Sequence, residues 1–188
     1  MPGYFNKFPK IKYGDVVLKD ITRRAKFLEN ISNDPLVYLP YTVQHDDRPE
    51  DVAYYYYGDA DFVWLIYMAN SIIDPYTDWV KTASDFENYI ISEYAEASGA
   101  TGYDVIAWTQ NTTIDANIVH YQNIEDPSII VAPGTILLSD DHTQASKWNA
   151  VRVYDYEYQR NEDRRNISVI NRTYADQMDK ELEALLNG

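Results

Sequence analysis

YTVQHDDRPEDVAYYYYGDADFVWLIYMANSIIDPYTDW, residues Tyr41 to Trp79, is the stretch that decides the fold. Tyr41-Thr42-Val43 favours a strand, because aromatic and β-branched side chains suit a pleated, half-buried surface. Polar residues 44–47 interrupt it. Asp47 or Arg48 occupies the next helix N-cap, and Asp is the better chemical candidate, since its carboxylate accepts from orphan backbone N–H groups. Pro49 suits the first helical turn, and Glu50 and Asp51 put negative charge at the positive end of the helix dipole. Val52, Ala53, Tyr56 and Tyr57 form one apolar stripe. Gly58 ends the helix, as a residue that turns left-handed without a Cβ penalty.

Asp59 or Asp61 starts a second helix. Phe62, Leu65, Ile66 and Ala69 mark its buried side, with Trp64 and Met68 flanking. Asn70 is read as a left-handed C-cap, and Asp74-Pro75 forces the chain out of helix. Two helices this short, joined at a single Gly, cannot bury their stripes alone and need a sheet beneath them. Residues 41–43 supply only one strand. The second has two candidates, Ile136-Leu137-Leu138 after the Pro133-Gly134 turn, and Ile167–Ile170.

The order YTV, polar loop, acidic helix start, Tyr57-Gly58, Trp64, Ile66 and Asn70 resembles a LysM module, a βααβ unit with both helices on one face of a two-stranded sheet. Arg48 to Ala53, Tyr57-Gly58-Asp59, Trp64 through Asn70, Asp74-Pro75-Tyr76 and Trp79 resemble something narrower: the baseplate wedge protein 53 family of contractile-tailed phages. Tyr4-Phe5, Phe8-Pro9-Lys10 and Lys19 to Arg24 are similar to that family's N-terminal arm. His120-Tyr121 and Arg165 to Ile170 also fit, while residues 99–149 are only loosely similar. The likeness favours Ile167–Ile170 as the second strand.

The resulting expectation is an α+β fold. Residues 1–40 form an extended N-terminal arm, residues 41–79 plus 166–188 a split LysM-like core, and residues 80–165 a large mixed α/β insertion. Within the insertion a third helix is expected around Ser84 to Ala97, with Ser84 and Glu87 at capping-box spacing. Val105–Trp108, Ile118–Tyr121, Ile129–Val131, Ile136–Leu138 and Val151–Tyr156 read as strands. Glu157 to Arg165 reads as a charged connection. A terminal helix from Tyr174 to Leu186 carries Tyr174, Met178, Leu182, Leu185 and Leu186 on one stripe.

Composition narrows the function. A formal net charge of −14 opposes nucleic acid or anionic membrane as partners, because phosphate attraction needs the opposite sign. With no cysteine there is no disulfide scaffold, zinc ribbon or thiol nucleophile. No run approaches the roughly 18–20 apolar residues of a membrane span. The opening MPGYFNKFPK lacks the apolar stretch of a cleaved signal peptide, so the Asn-X-Ser/Thr triplets at Asn111, Asn166 and Asn171 read as accidental. Eighteen tyrosines beside five phenylalanines mark surfaces that are wet before assembly and buried after it; Tyr54 and Tyr55 point away from the first helix's stripe.

Catalytic patterns are missing from the sequence: no P-loop, no Gly-x-Gly-x-x-Gly, no Gly-x-Ser-x-Gly. His45, His120 and His142 show no i, i+4 pairing, and Asp140-Asp141-His142 reads as a solvated turn rather than a metal cluster. No enzyme activity, cofactor, metal or small-molecule substrate is expected. What the family resemblance implies is a structural virion protein of the tail baseplate, assembled in the host cytoplasm. Its partners would be other wedge proteins and the central hub or tube, in a multi-subunit ring. Phe5, Phe8, Arg23, Arg24, Tyr76 and Trp79 are the expected contacts, with Trp79 equally suited to the core. The rival is a peptidoglycan-binding LysM module, whose groove would lie between residues 44–48 and 70–74. Asp46-Asp47-Arg48-Pro49 departs from the turn such a groove uses.

Overall fold

A computed structural model describes residues 4–22, 36–44, 46–137 and 147–187. A 3-10 turn (Tyr4–Lys7) precedes strands β1 (Lys10–Tyr13), β2 (Val16–Lys19) and β3 (Tyr38–Thr42). Helix α1 (Pro49–Tyr57), a 3-10 turn (Ala60–Phe62), α2 (Val63–Ala69), α3 (Pro75–Asp78), α4 (Ala83–Ser98) and α5 (Tyr103–Gln110) follow. Then come β4 (Ile118–Asn123), β5 (Ile130–Val131), α6 (Pro133–Leu137), β6 (Trp148–Arg152), α7 (Val153–Asp163), β7 (Asn166–Ile170) and α8 (Arg172–Asn187). The fold is α+β, with every described strand pair antiparallel. Two units divide the chain: residues 1–80 with 164–188, and residues 81–163.

In the first unit β3 pairs with β7, so of the two candidate strands Ile167–Ile170 is the one that meets the Tyr41 strand. Ile136 and Leu137 instead belong to the short helix α6. The strand also starts earlier than the sequence reading has it, at Tyr38, and runs through Pro40. Pro40 stands opposite Ser168, whose N–H and C=O both turn away from β3 to the Asn70 side chain. A proline therefore sits in the ladder without leaving a broken hydrogen bond.

Helix α1 runs from Pro49 to Tyr57 and is closed by Gly58, as its punctuation requires. Gly58 has φ 87° and donates its N–H to the Tyr54 carbonyl at 2.8 Å. Its N-cap is Arg48, not Asp47; because Arg cannot accept, the Asp51 carboxylate completes the turn by accepting the Arg48 N–H at 3.0 Å. Asp59 caps the next turn, accepting from the Asp61 N–H. Asn70 is not left-handed (φ −111°); that conformation falls on Ser71 (φ 54°). Asn70 is still the C-cap, its backbone N–H donating to the Ile66 carbonyl, and its side chain reaches both that carbonyl and the backbone of Ser168.

Two apolar clusters meet at β7. Ile167 and Val169 pack with Val43, Val52, Ala53, Ile66, Trp79 and Val80. Ile170 packs with Phe8, Val37, Phe62, Trp64 and Leu65, and with Ala175, Met178, Leu182 and Leu186 of α8. Leu185, assigned to that stripe from the sequence, is 56% exposed; Ala175 takes the place on the buried face. Tyr57 joins both clusters, and its hydroxyl accepts the Ile170 N–H and donates to the Ile170 carbonyl, each at 3.0 Å. Asn70 and Tyr57 thus satisfy, from side chains, the edge of β7 that β3 does not reach.

The second unit corrects several expectations. Helix α4 is capped by Thr82, whose hydroxyl accepts the Asp85 N–H, instead of by Ser84 with Glu87. Val105–Trp108 is helical, because Val105 and Thr109, four apart, are both fully buried. Residues 151–156 divide between the end of β6 and the start of α7, and of the charged connection 157–163 is the remainder of that helix while Arg164 and Arg165 turn into β7. The buried stripe of α7 is Val153, Glu157 and Asn161, so its period is hidden by two polar residues. Both are satisfied. Tyr94 donates to the Glu157 carboxylate at 2.9 Å, and Asn161 exchanges two hydrogen bonds with the backbone of Lys81. Burial, followed by the Glu157 hydrogen bond and charge, pushes the Tyr94 phenol up. Strand β4 sits between β5 and β6, and Arg152 ties the preceding loop by donating to the Ile114 and Thr112 carbonyls.

Candidate protein-interaction surface

The turn after α2 is held from inside. Trp79 is 6% exposed, its ring in the core and its indole N–H donating to the Asp47 carbonyl at 2.9 Å. The Asp78 carboxylate accepts the N–H groups of Ile73 and Asp74 at 3.1 and 3.0 Å, and Asp74 accepts the Tyr76 N–H at 3.0 Å. These backbone donors hold the Asp78 carboxyl below the usual carboxylate range. Ile73 and Tyr76 emerge from this fixed turn at 93% and 91% exposure. Tyr76 is one of the contacts expected from the sequence; Ile73 is not among them, and of the Ile72-Ile73 pair only Ile72 packs on the core.

Helix α1 presents Tyr54 and Tyr55 outward as an edge-to-face pair with ring centroids 6.1 Å apart. Nearby, Tyr67 reaches toward Glu50, and its phenol is pushed up to about 12 by desolvation first and the Glu50 charge second. Glu50 and Tyr54, four apart on α1, set a carboxylate beside an exposed ring.

The N-terminal segment is anchored, not loose, where the structure describes it. Phe8 is 5% exposed within the core cluster of α8, and Lys7 forms an ion pair with Asp179. Phe5 lies in the first 3-10 turn. Arg23 and Arg24 lie outside the described residues, as do His45 and the Asp140-Asp141-His142 turn. A cleft of about 200 Å³ is lined by Asn6, Lys7, Asp59, Asp61, Phe62, Asp179 and Glu183. Its Lys7 and Asp179 are paired with each other, and Asp59 is used as a cap. Among the described residues no group of three or more His, Cys, Asp or Glu is placed to hold a metal ion. Likewise, none of their helices is long and apolar enough to cross a membrane.

What this surface offers is apolar area on a turn fixed by hydrogen bonds. The family model described as base plate wedge protein 53 matches residues 5–128, and the chain belongs to that family of phage baseplate structural proteins. Its place is accordingly the virion tail. No curated protein matches the chain. The matched region runs from the first 3-10 turn through β4; β7 and α8, which complete the core, lie beyond it.

Proposed function

We propose that this protein links neighbouring baseplate wedges to each other and to the central hub or tube while the ring assembles. The family match over residues 5–128 carries the reading. The β3–α1–α2–β7 unit acts as a LysM-like rigid body, and the residues 81–163 unit as an insertion carried by it. Ile73 and Tyr76 serve as preformed anchors, since an apolar side chain on a fixed turn loses little freedom when buried by a partner. Tyr54, Tyr55, Phe5, Arg23 and Arg24 add contacts. Phe8 and Trp79 contribute from within, by fixing the arm and the turn. Sedimentation of the purified chain mixed with the other wedge proteins tests this. The chain should move into the fast fractions; a chain that stays slow and alone contradicts the proposal, and retention on peptidoglycan instead would favour the LysM-type wall-binding reading.

A further inference from the structure

The β1–β2 hairpin is written as a half-buried element, yet its apolar half is exposed. Lys10-Ile11-Lys12-Tyr13 alternates strictly, the pattern of a strand with one face in a core. The register pairs Ile11 with Leu18 and Tyr13 with Val16, and cross-strand partners share a face. One face is therefore Ile11, Tyr13, Val16 and Leu18, at 43%, 76%, 57% and 47% exposure. The other carries Lys10, Lys12 and Lys19 with Val17; the Lys19 amine donates to Asn6. The hairpin's root is fixed, since Phe8 sits in the core and the Asp20 N–H donates to the Pro9 carbonyl at 2.8 Å. A two-stranded hairpin with a bare apolar face is marginal by itself.

We infer that the hairpin of residues 10–19 docks on another baseplate protein, its apolar face on an apolar strip of that partner and its opposite, lysine face toward carboxylates of the same partner. The inference rests on the wedge reading above and names which surface of the chain performs it. Charge identifies what the opposite face meets. Residues 10–19 hold three lysines and one aspartate in a chain of net charge −14, so this is a basic island. At physiological salt, charges act over only about 8 Å, so local pairing outweighs the net repulsion of the whole chain. Area argues against a second copy of this chain as the occupant. The four side chains offer roughly 400 Å² at most, against about 800 Å² per partner in a stable interface. A face this small works as one contact among several to a larger partner.

The test places a photo-crosslinking residue at Tyr13 in the full chain, assembles it with the other wedge proteins of the same phage, and identifies the adducts by mass spectrometry. In parallel, a triple variant Ile11→Thr, Val16→Thr, Leu18→Thr puts β-branched residues in the strands while removing three of the four apolar side chains of that face. A second variant, Lys10→Glu with Lys12→Glu, reverses the charge of the opposite face. The expected result is an adduct to one wedge protein near acidic residues. Both variants should bind that protein at least tenfold more weakly, with unchanged thermal unfolding midpoints. An adduct only to a second copy, or only to this chain's own residues 23–35, overturns the inference, as does undiminished binding by the variants. If the wild-type chain joins no wedge protein at all, the wedge reading itself falls, and that outcome is distinct from a chain that joins normally through other surfaces.

Discussion

Replacing Asn70 by alanine removes both hydrogen bonds to the backbone of Ser168 and one to the Ile66 carbonyl. The Ile66 carbonyl keeps the Asn70 backbone N–H as a partner, so it is not orphaned. The Ser168 N–H and C=O lose theirs, in a strand whose neighbours Ile167 and Val169 are buried. Two stranded backbone groups at about 1–3 kcal/mol each give a loss of about 2–4 kcal/mol, allowing for partial access of water. At about 2–4 °C per kcal/mol for a chain of this size, the thermal midpoint falls by about 4–16 °C. Circular dichroism melts of Asn70→Ala against wild type measure it. Ile73→Ala serves as the comparison, because that side chain is exposed and should leave the midpoint unchanged. An Asn70→Ala melt within about 1 °C of wild type would refute the argument that this side chain stands in for a missing strand.

Tyr57→Phe should lower the midpoint by a similar amount, since it strands the Ile170 N–H and C=O in the same way while leaving the ring contacts intact. The Asp78 carboxyl is depressed in the folded state, so its contribution is present above the ordinary carboxylate pKa of about 4 and disappears as pH falls through the lower folded value. The protection of the Ile73 and Asp74 amides, taken as exchange relative to the intrinsic rate at each pH, should accordingly fall at low pH, and Asp78→Ala should show weak protection already at pH 7. Tyr67, raised to about 12, contributes stability that is complete below pH about 10 and is lost as pH rises through the folded value. Glu50→Gln should bring the ultraviolet titration of Tyr67 part of the way back toward 10, desolvation holding the rest.

Much of residues 41–79 was legible because its signals are local. Pro49, Gly58 and Asp74-Pro75 each act through their own backbone, and the stripes Val52, Ala53, Tyr56, Tyr57 and Leu65, Ile66, Ala69 each have helical spacing within their own helix. What was not legible depends on distant partners. Pro40 reads as a break and is tolerated in β3 only because Ser168, across the ladder, looks to Asn70. The α7 stripe contains Glu157 and Asn161, whose burial depends on Tyr94 and the Lys81 backbone. Of the candidate contacts, the exposure of Tyr76 follows from the Asp74-Pro75 turn, whereas the inward turn of Phe8 depends on α8, more than 160 residues away in sequence. The alternation of residues 10–13 was present in the sequence, but only the β1–β2 register shows that its apolar members share a face.

The most direct test is an electron cryo-microscopy map of the assembled phage tail into which this chain can be traced. The account predicts density for the β3–α1–α2–β7 unit in the baseplate ring, bridging two wedges, with Ile73 and Tyr76 buried against a neighbour. Density for the chain outside the baseplate, or within it with those two side chains facing solvent and a single wedge protein contacted, would contradict it.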